Sequence, residues 1–203
     1  PWFAELKAGG GLKALANYPG DYNAPYMTIL AILTYLPIRA LYTIKLVSIG
    51  FEIVLALAVG WLIYTLKPSK KLAIIGYVVT LFLPQILANG ALWGQCDAIY
   101  ASFAILALGF LLREKWKLAF VMLGVACAFK LQFIFILPIF IVKYVLDRGQ
   151  KIAKTQKARG FSVGYFLIIP AVDLLLCLPA IIAGKSISEC LTVSLQQTQT
   201  YNY

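Results

Sequence analysis

Six apolar runs fill most of the chain between residues 24 and 184: 24–38, 44–66, 72–93, 98–112, 118–146 and 161–184. The hydrocarbon core of a bilayer is about 30 Å thick and takes about 20 mostly apolar residues per helical crossing, so runs of this length restrict the chain to a membrane fold. With 62% hydrophobic and 13% charged residues and a mean hydropathy of +0.84, the sequence lies outside the range of a soluble domain. The runs are rich in Leu, Ile and Ala and lack the two-residue alternation of a barrel strand. The expected fold class is therefore all-α, a polytopic transmembrane helical bundle. Runs 24–38 and 98–112 are short for a crossing and 118–146 is overlong, so a reversal is expected near Lys130 and Gln132, which interrupt that last run.

Lys and Arg accumulate in short cytoplasmic loops, and twelve of the eighteen basic residues lie in or beside three of them. These are "LKPSKK" (Lys67, Lys70, Lys71), "REKWK" (Arg113, Lys115, Lys117) and the segment from Lys143 through "DRGQKIAKTQKARG" (Arg148, Lys151, Lys154, Lys157, Arg159). With all three inside, 44–66 runs inward, 72–93 outward and 98–112 inward. "GQCD" and "FKLQ" then share the outer face. Segment 24–38 is expected to lie partly sunk in the outer leaflet rather than to cross. The chain divides into an outer-face loop with juxtamembrane helices (1–43), membrane helices (44–184) and an outer-face segment (185–203), all within one transmembrane domain. It is expected to be a piece of a longer protein, because it opens at Pro1 and stops within the polar "QQTQTYNY".

The net charge of +10 follows from the cytoplasmic loops. It calls for anionic head groups of membrane lipid as partners, not for nucleic acid. Histidine is absent and the four cysteines, Cys96, Cys127, Cys177 and Cys190, have no ligand spacing, so no metal is expected.

Ionisable groups at membrane depth cost about 2.5–3.5 kcal/mol on insertion scales unless they are paired or face water, which directs attention to the few that occur. Glu52 and Asp173 are single acids within apolar runs. Glu52 lies two turns beyond Lys45 on the same helical face, and pairing with Lys45 or Lys130 would hold helices in register. Gln95, Asp97, Lys130 and Gln132 fall together on the outer face and form the stronger candidate for a site.

Taken in order, "GDYNAPY", an acid in the next helix (Glu52), "KPSKK", "WGQCDAIYASF" and "FKLQFIFILPIF" resemble the GT-C membrane glycosyltransferases. The likeness is to bacterial mannosyltransferase-related members, and also to the dolichyl-phosphate-glucose-dependent glucosyltransferases. In those glucosyltransferases a His-containing motif stands where Trp93 to Asp97 stand here, and a Phe-Lys-Gln where Phe129 to Gln132 stand. Here "GQCD" takes the place of the His motif, and Leu131 separates Lys130 from Gln132.

The resemblance implies an integral enzyme of the bacterial cytoplasmic membrane with an outward-facing site. It would transfer a hexose, mannose first, from a polyprenyl-phosphate donor to an acceptor hydroxyl, without a cofactor. Such transfer needs a carboxylate to take the hydroxyl proton and a cation for the phosphate leaving group. Asp21 is expected as a second catalytic acid, with the main base upstream of Pro1. Tyr22, Gln95, Asp97, Lys130 and Gln132 are expected to bind substrate, Lys130 through phosphate. A lipid-linked-sugar transporter and a non-catalytic membrane scaffold are the other readings of the same residues.

Overall fold

The computed structural model describes residues 2–18, 22–152 and 160–200. Among these there is no strand, and the helices follow the apolar runs. The first segment contains α1 (Trp2–Ala8), a 3-10 turn at Gly11–Ala16 and α2 (Ala24–Leu33). The long helix α3 (Ala40–Leu66) leads through a short turn into α4 (Lys70–Leu81), which Ser69 caps by accepting from the Leu72 N–H at 3.4 Å. Pro84 lacks the N–H and its ring clashes with the preceding turn, which favours it at the first position of a helix over the interior. The expected run 72–93 therefore breaks there, and the short α5 (Pro84–Leu87) continues into a π-helical turn at Ala88–Leu92. The two parts of this pair are bent by 44°.

Next come α6 (Asp97–Leu112) and α7 (Trp116–Phe129). At Lys130 the backbone is extended (φ −159°, ψ 136°), a 3-10 turn follows at Leu131–Phe135, and α8 (Leu137–Ile152) begins. The chain reverses here. Phe140 of α8 stacks edge-on against Phe120 of α7 at 5.2 Å, and Lys143 lies 5.3 Å above the Trp116 ring. A 3-10 turn at Val163–Leu167 opens α9 (Ile168–Ala183), which ends at Gly184 with φ 118°, a conformation that favours glycine, before α10 (Ile187–Thr200).

Two helical segments, Ala40–Leu66 and Val163–Ala183, are long and apolar enough to cross a membrane, or three if the bent pair α4–α5 counts as one. Helices α6 and α7 are apolar but shorter, roughly 24 and 21 Å at 1.5 Å per residue. Small residues bring the helices close, as expected where lipid removes the hydrophobic drive between them. Ser102 Oγ donates to the Phe51 carbonyl at 3.2 Å, and Ser48 Oγ donates to the Gln95 carbonyl at 3.0 Å. These bonds fasten α6 alongside α3 in parallel.

The packing gives the molecule two distinct ends. At one, Arg113 Nε donates to Thr65 Oγ1 at 3.2 Å, so the turns after α3 and α6 lie together, and Lys143 above Trp116 adds the α8 end. The described parts of the basic loops gather here. Around them Phe120, Phe140, Phe161, Tyr165 and Phe166 form one aromatic cluster. At the other end lie the N-termini of α3 and α6, the C-terminus of α7 and the N-terminal segment. Asn23 Nδ2 donates to the Ala128 carbonyl at 3.1 Å there. The Lys185 ammonium sits 3.5 Å above the Tyr18 ring, where burial holds the lysine below its ordinary pKa and the phenol above its own.

Candidate functional site

Helices α6 and α7 are antiparallel neighbours, so the N-terminus of one meets the C-terminus of the other. A carboxylate is favourable at the first and an ammonium at the second, where each complements the helix dipole. Asp97 in the first turn of α6 and Lys130 at the C-cap of α7 fill these positions and form an ion pair. Lys130 also lies 5.8 Å from the Tyr100 ring. Both charged groups remain partly open, with 28% of the Lys130 side chain and 35% of the Asp97 side chain exposed.

Beside this pair is a cavity of about 390 Å³. Glu52 enters it from α3, Gln85 and Asn89 from the broken segment, Trp93 and Gln95 from the following turn, and Asp97 and Tyr100 from α6. Trp93 is 73% exposed at its rim, beside Leu92 at 72%. Gln95 is oriented by Tyr22, whose hydroxyl donates to Oε1 at 3.3 Å, and Tyr22 packs against Trp2 and Tyr26 at 5.0 and 4.9 Å. Burial pushes the Cys96 thiol up to about 12, so it is not a thiolate nucleophile at neutral pH.

Glu52 is the most confined group in the cavity wall, only 4% exposed. It lies under the π-helical turn, where the backbone N–H of Gly90 faces its carboxyl group. A methyl at Gly90 would overlap the carboxyl, so the Glu52 side chain would have to shift. The Glu52 Oε1 atom has no hydrogen-bond partner among the described residues. The expected pairing of Glu52 with Lys45 or Lys130 does not form, because the α6–α7 geometry commits Lys130 to Asp97.

The structure thus brings Gln95, Asp97, Lys130 and Tyr22 together. Tyr22 and Lys130 do not line the cavity themselves and reach it through Gln95 and Asp97, while Gln132 is exposed on the 3-10 turn and is also not among the cavity-lining residues. A 3-10 step after Lys130 turns successive side chains by about 120°, so lysine and glutamine two residues apart do not share a face. Asp21 lies outside the described residues. The sequence reading overlooked Gln85 and Asn89, two amides within the run 72–93, and Tyr100; Pro84 was the signal that this run is broken. Asp173, the other acid in an apolar run, accepts from Cys177 Sγ at 3.8 Å in α9, away from the cavity. No group of three or more Asp, Glu, Cys or His side chains suited to a metal occurs among the described residues. No family model, curated protein or solved structure matches the chain.

Proposed function

We propose that this chain carries the donor site of an integral membrane glycosyltransferase. It moves a hexose, mannose first, from a polyprenyl-phosphate carrier to an acceptor hydroxyl on the face opposite the basic loops. The observation that carries this reading is the cavity in which an amide-rich wall, an exposed tryptophan and Asp97, itself paired with Lys130, adjoin apolar surface. The Lys130 ammonium has three donor hydrogens; Asp97 takes one, and the donor phosphate takes another. Gln85, Asn89 and Gln95 present amides to sugar hydroxyls. Trp93 offers a flat apolar face to the ring, and the neighbouring Leu92 begins a path for the lipid chain.

The GT-C-like order of motifs supports the same reading, as does the collection of basic loops at the far end, which points that end toward the cytoplasm. On this reading the protein is a multi-pass protein of the bacterial cytoplasmic membrane, with its site facing outward. A thiol label applied from outside will then react with Gln132→Cys and not with Lys115→Cys, both of which are exposed positions.

A second reading, transport of a lipid-linked sugar, is favoured by one observation: the 44° break in α4–α5 lies beside a buried carboxylate, and transporters place broken helices at their binding sites. The full-length protein in liposomes, given polyprenyl-phosphate-mannose and polyprenyl-phosphate-glucose with lipid and saccharide acceptors, separates the two. Glycosylated product supports the enzyme. Movement of the lipid-linked sugar between leaflets without product overturns it in favour of transport.

A further inference from the structure

Two carboxylates line the cavity, and their surroundings divide them. Asp97 lies at the N-terminus of α6 and is paired with Lys130. Both contacts commit this carboxylate to the helix terminus and the lysine. Among the described residues Glu52 has no cation and its Oε1 no hydrogen-bond partner, and it is 4% exposed. Two neighbouring acids held in such different environments are suited to different tasks. A carboxylate in an apolar helix is also costly enough that a purely structural role would bring a cation with it. Among the described residues Glu52 has only the Gly90 N–H and no cation.

We propose that Glu52, rather than the acid expected upstream of Pro1, is the catalytic base of this site, the carboxylate that accepts the proton of the attacking acceptor hydroxyl. The inference rests on the transfer reading above. The acceptor oxygen forms its bond to the anomeric carbon as the bond from that carbon to the phosphate oxygen breaks, with inversion. The electron pair of the broken bond leaves on the polyprenyl phosphate, whose charge Lys130 faces. The hydroxyl proton passes to the Glu52 carboxylate, which lines the cavity, and is released to water after the product departs. Gly90 is the positioning residue: without a side chain, it lets the carboxyl lie directly against the π-helical turn.

The test compares the full-length wild type with Glu52→Gln and Glu52→Asp in liposomes of phosphatidylethanolamine and phosphatidylglycerol, with undecaprenyl-phosphate-mannose as donor. Glu52→Gln is expected to lower kcat about 100- to 10,000-fold while the donor KM stays within about threefold, with no loss of melting temperature. Glu52→Asp is expected to retain part of the rate. A Glu52→Gln rate within about threefold of wild type overturns the assignment and leaves the transfer reading standing. Absence of transfer by the wild type from any donor overturns that reading and this inference with it. Should Glu52→Gln fail to fold, the wild type is treated with dicyclohexylcarbodiimide and the adduct mapped by mass spectrometry. Modification of Glu52 that inactivates transfer and is slowed by undecaprenyl-phosphate-mannose supports the proposal; modification that leaves transfer intact, or that the donor does not slow, overturns it.

Discussion

At the cavity end, Lys130 and Asp97 join the C-terminus of α7 to the N-terminus of α6; at the basic end, Lys143 and Asp147 sit one turn apart on α8. The inventories are otherwise alike. Each lysine lies over an aromatic ring, Tyr100 at 5.8 Å and Trp116 at 5.3 Å, and each pair borders a cavity, of about 390 and 380 Å³. Each end also holds one buried carboxylate oxygen without a partner among the described residues, Glu52 Oε1 and Asp147 Oδ2. The difference lies in whose oxygen it is. At the basic end it belongs to the same aspartate that already pairs with lysine, so the charge there is compensated. At the cavity end it belongs to a second acid, brought in by another helix. One carboxylate is ion-paired while the other has no cation among the described residues, and on the proposed reading this separates a charge-binding site from a packing feature that contains the same residue types.

The largest effect is expected at the basic end and on stability. Phe120 is fully buried against Phe140, Phe161, Tyr165 and Phe166, so Phe120→Ala should cost about 3–5 kcal/mol. Thermal unfolding in detergent should show this, with transfer per folded molecule unchanged. A loss of transfer without a loss of stability would break the contrast between the two ends.

Lys130→Ala is the counterpart at the cavity end. Leaving the donor phosphate without its cation removes a charge-assisted contact of about 1.5–3 kcal/mol, a roughly 10- to 150-fold loss in kcat/KM for the donor. Unchanged donor kinetics would reduce the Asp97–Lys130 pair to a helix-terminus lock.

Gly90→Ala sharpens the role of the free carboxylate. The added methyl meets the Glu52 carboxyl, and overpacking of this kind costs about 1–3 kcal/mol. Transfer should fall with the donor KM preserved, as measured by initial rates over a donor series. An undisturbed rate would mean that the position of Glu52 under the turn does not matter.

Smallest in its effect on transfer is Lys143→Ala. The pair is confined to the basic end, so donor kinetics should be unaltered, while buried Asp147 loses its cation and the melting temperature falls. A loss of transfer equal to that of Lys130→Ala would erase the distinction between the two pairs.

Much of the fold was written in local pattern. Uninterrupted apolar stretches dictate helices because in lipid every backbone group must be bonded within its own segment, and α3, α6 and the span ending at Ala183 lie close to the runs that announced them. The interruption at Lys130 marked the reversal, because the ammonium stands at the C-cap of α7, where it complements the helix dipole. The same loops that carry the basic residues connect the helices at one end, so the two-ended character of the molecule also followed from the sequence.

What the sequence did not decide is which faces meet. Lys130 had two acids to choose from, and the antiparallel α6–α7 pair gave it Asp97 because that carboxylate begins the neighbouring helix. Glu52 became a cavity residue only because the turn after Pro84 lays Gly90 across it, and Gln132 left the site because a 3-10 step rotates it away. Hydrophobic pattern and charge are properties of a segment and can be read along the chain. The rotation of one helix against another is set by side-chain packing between segments distant in sequence, so the composition of the site is a property of the tertiary structure alone.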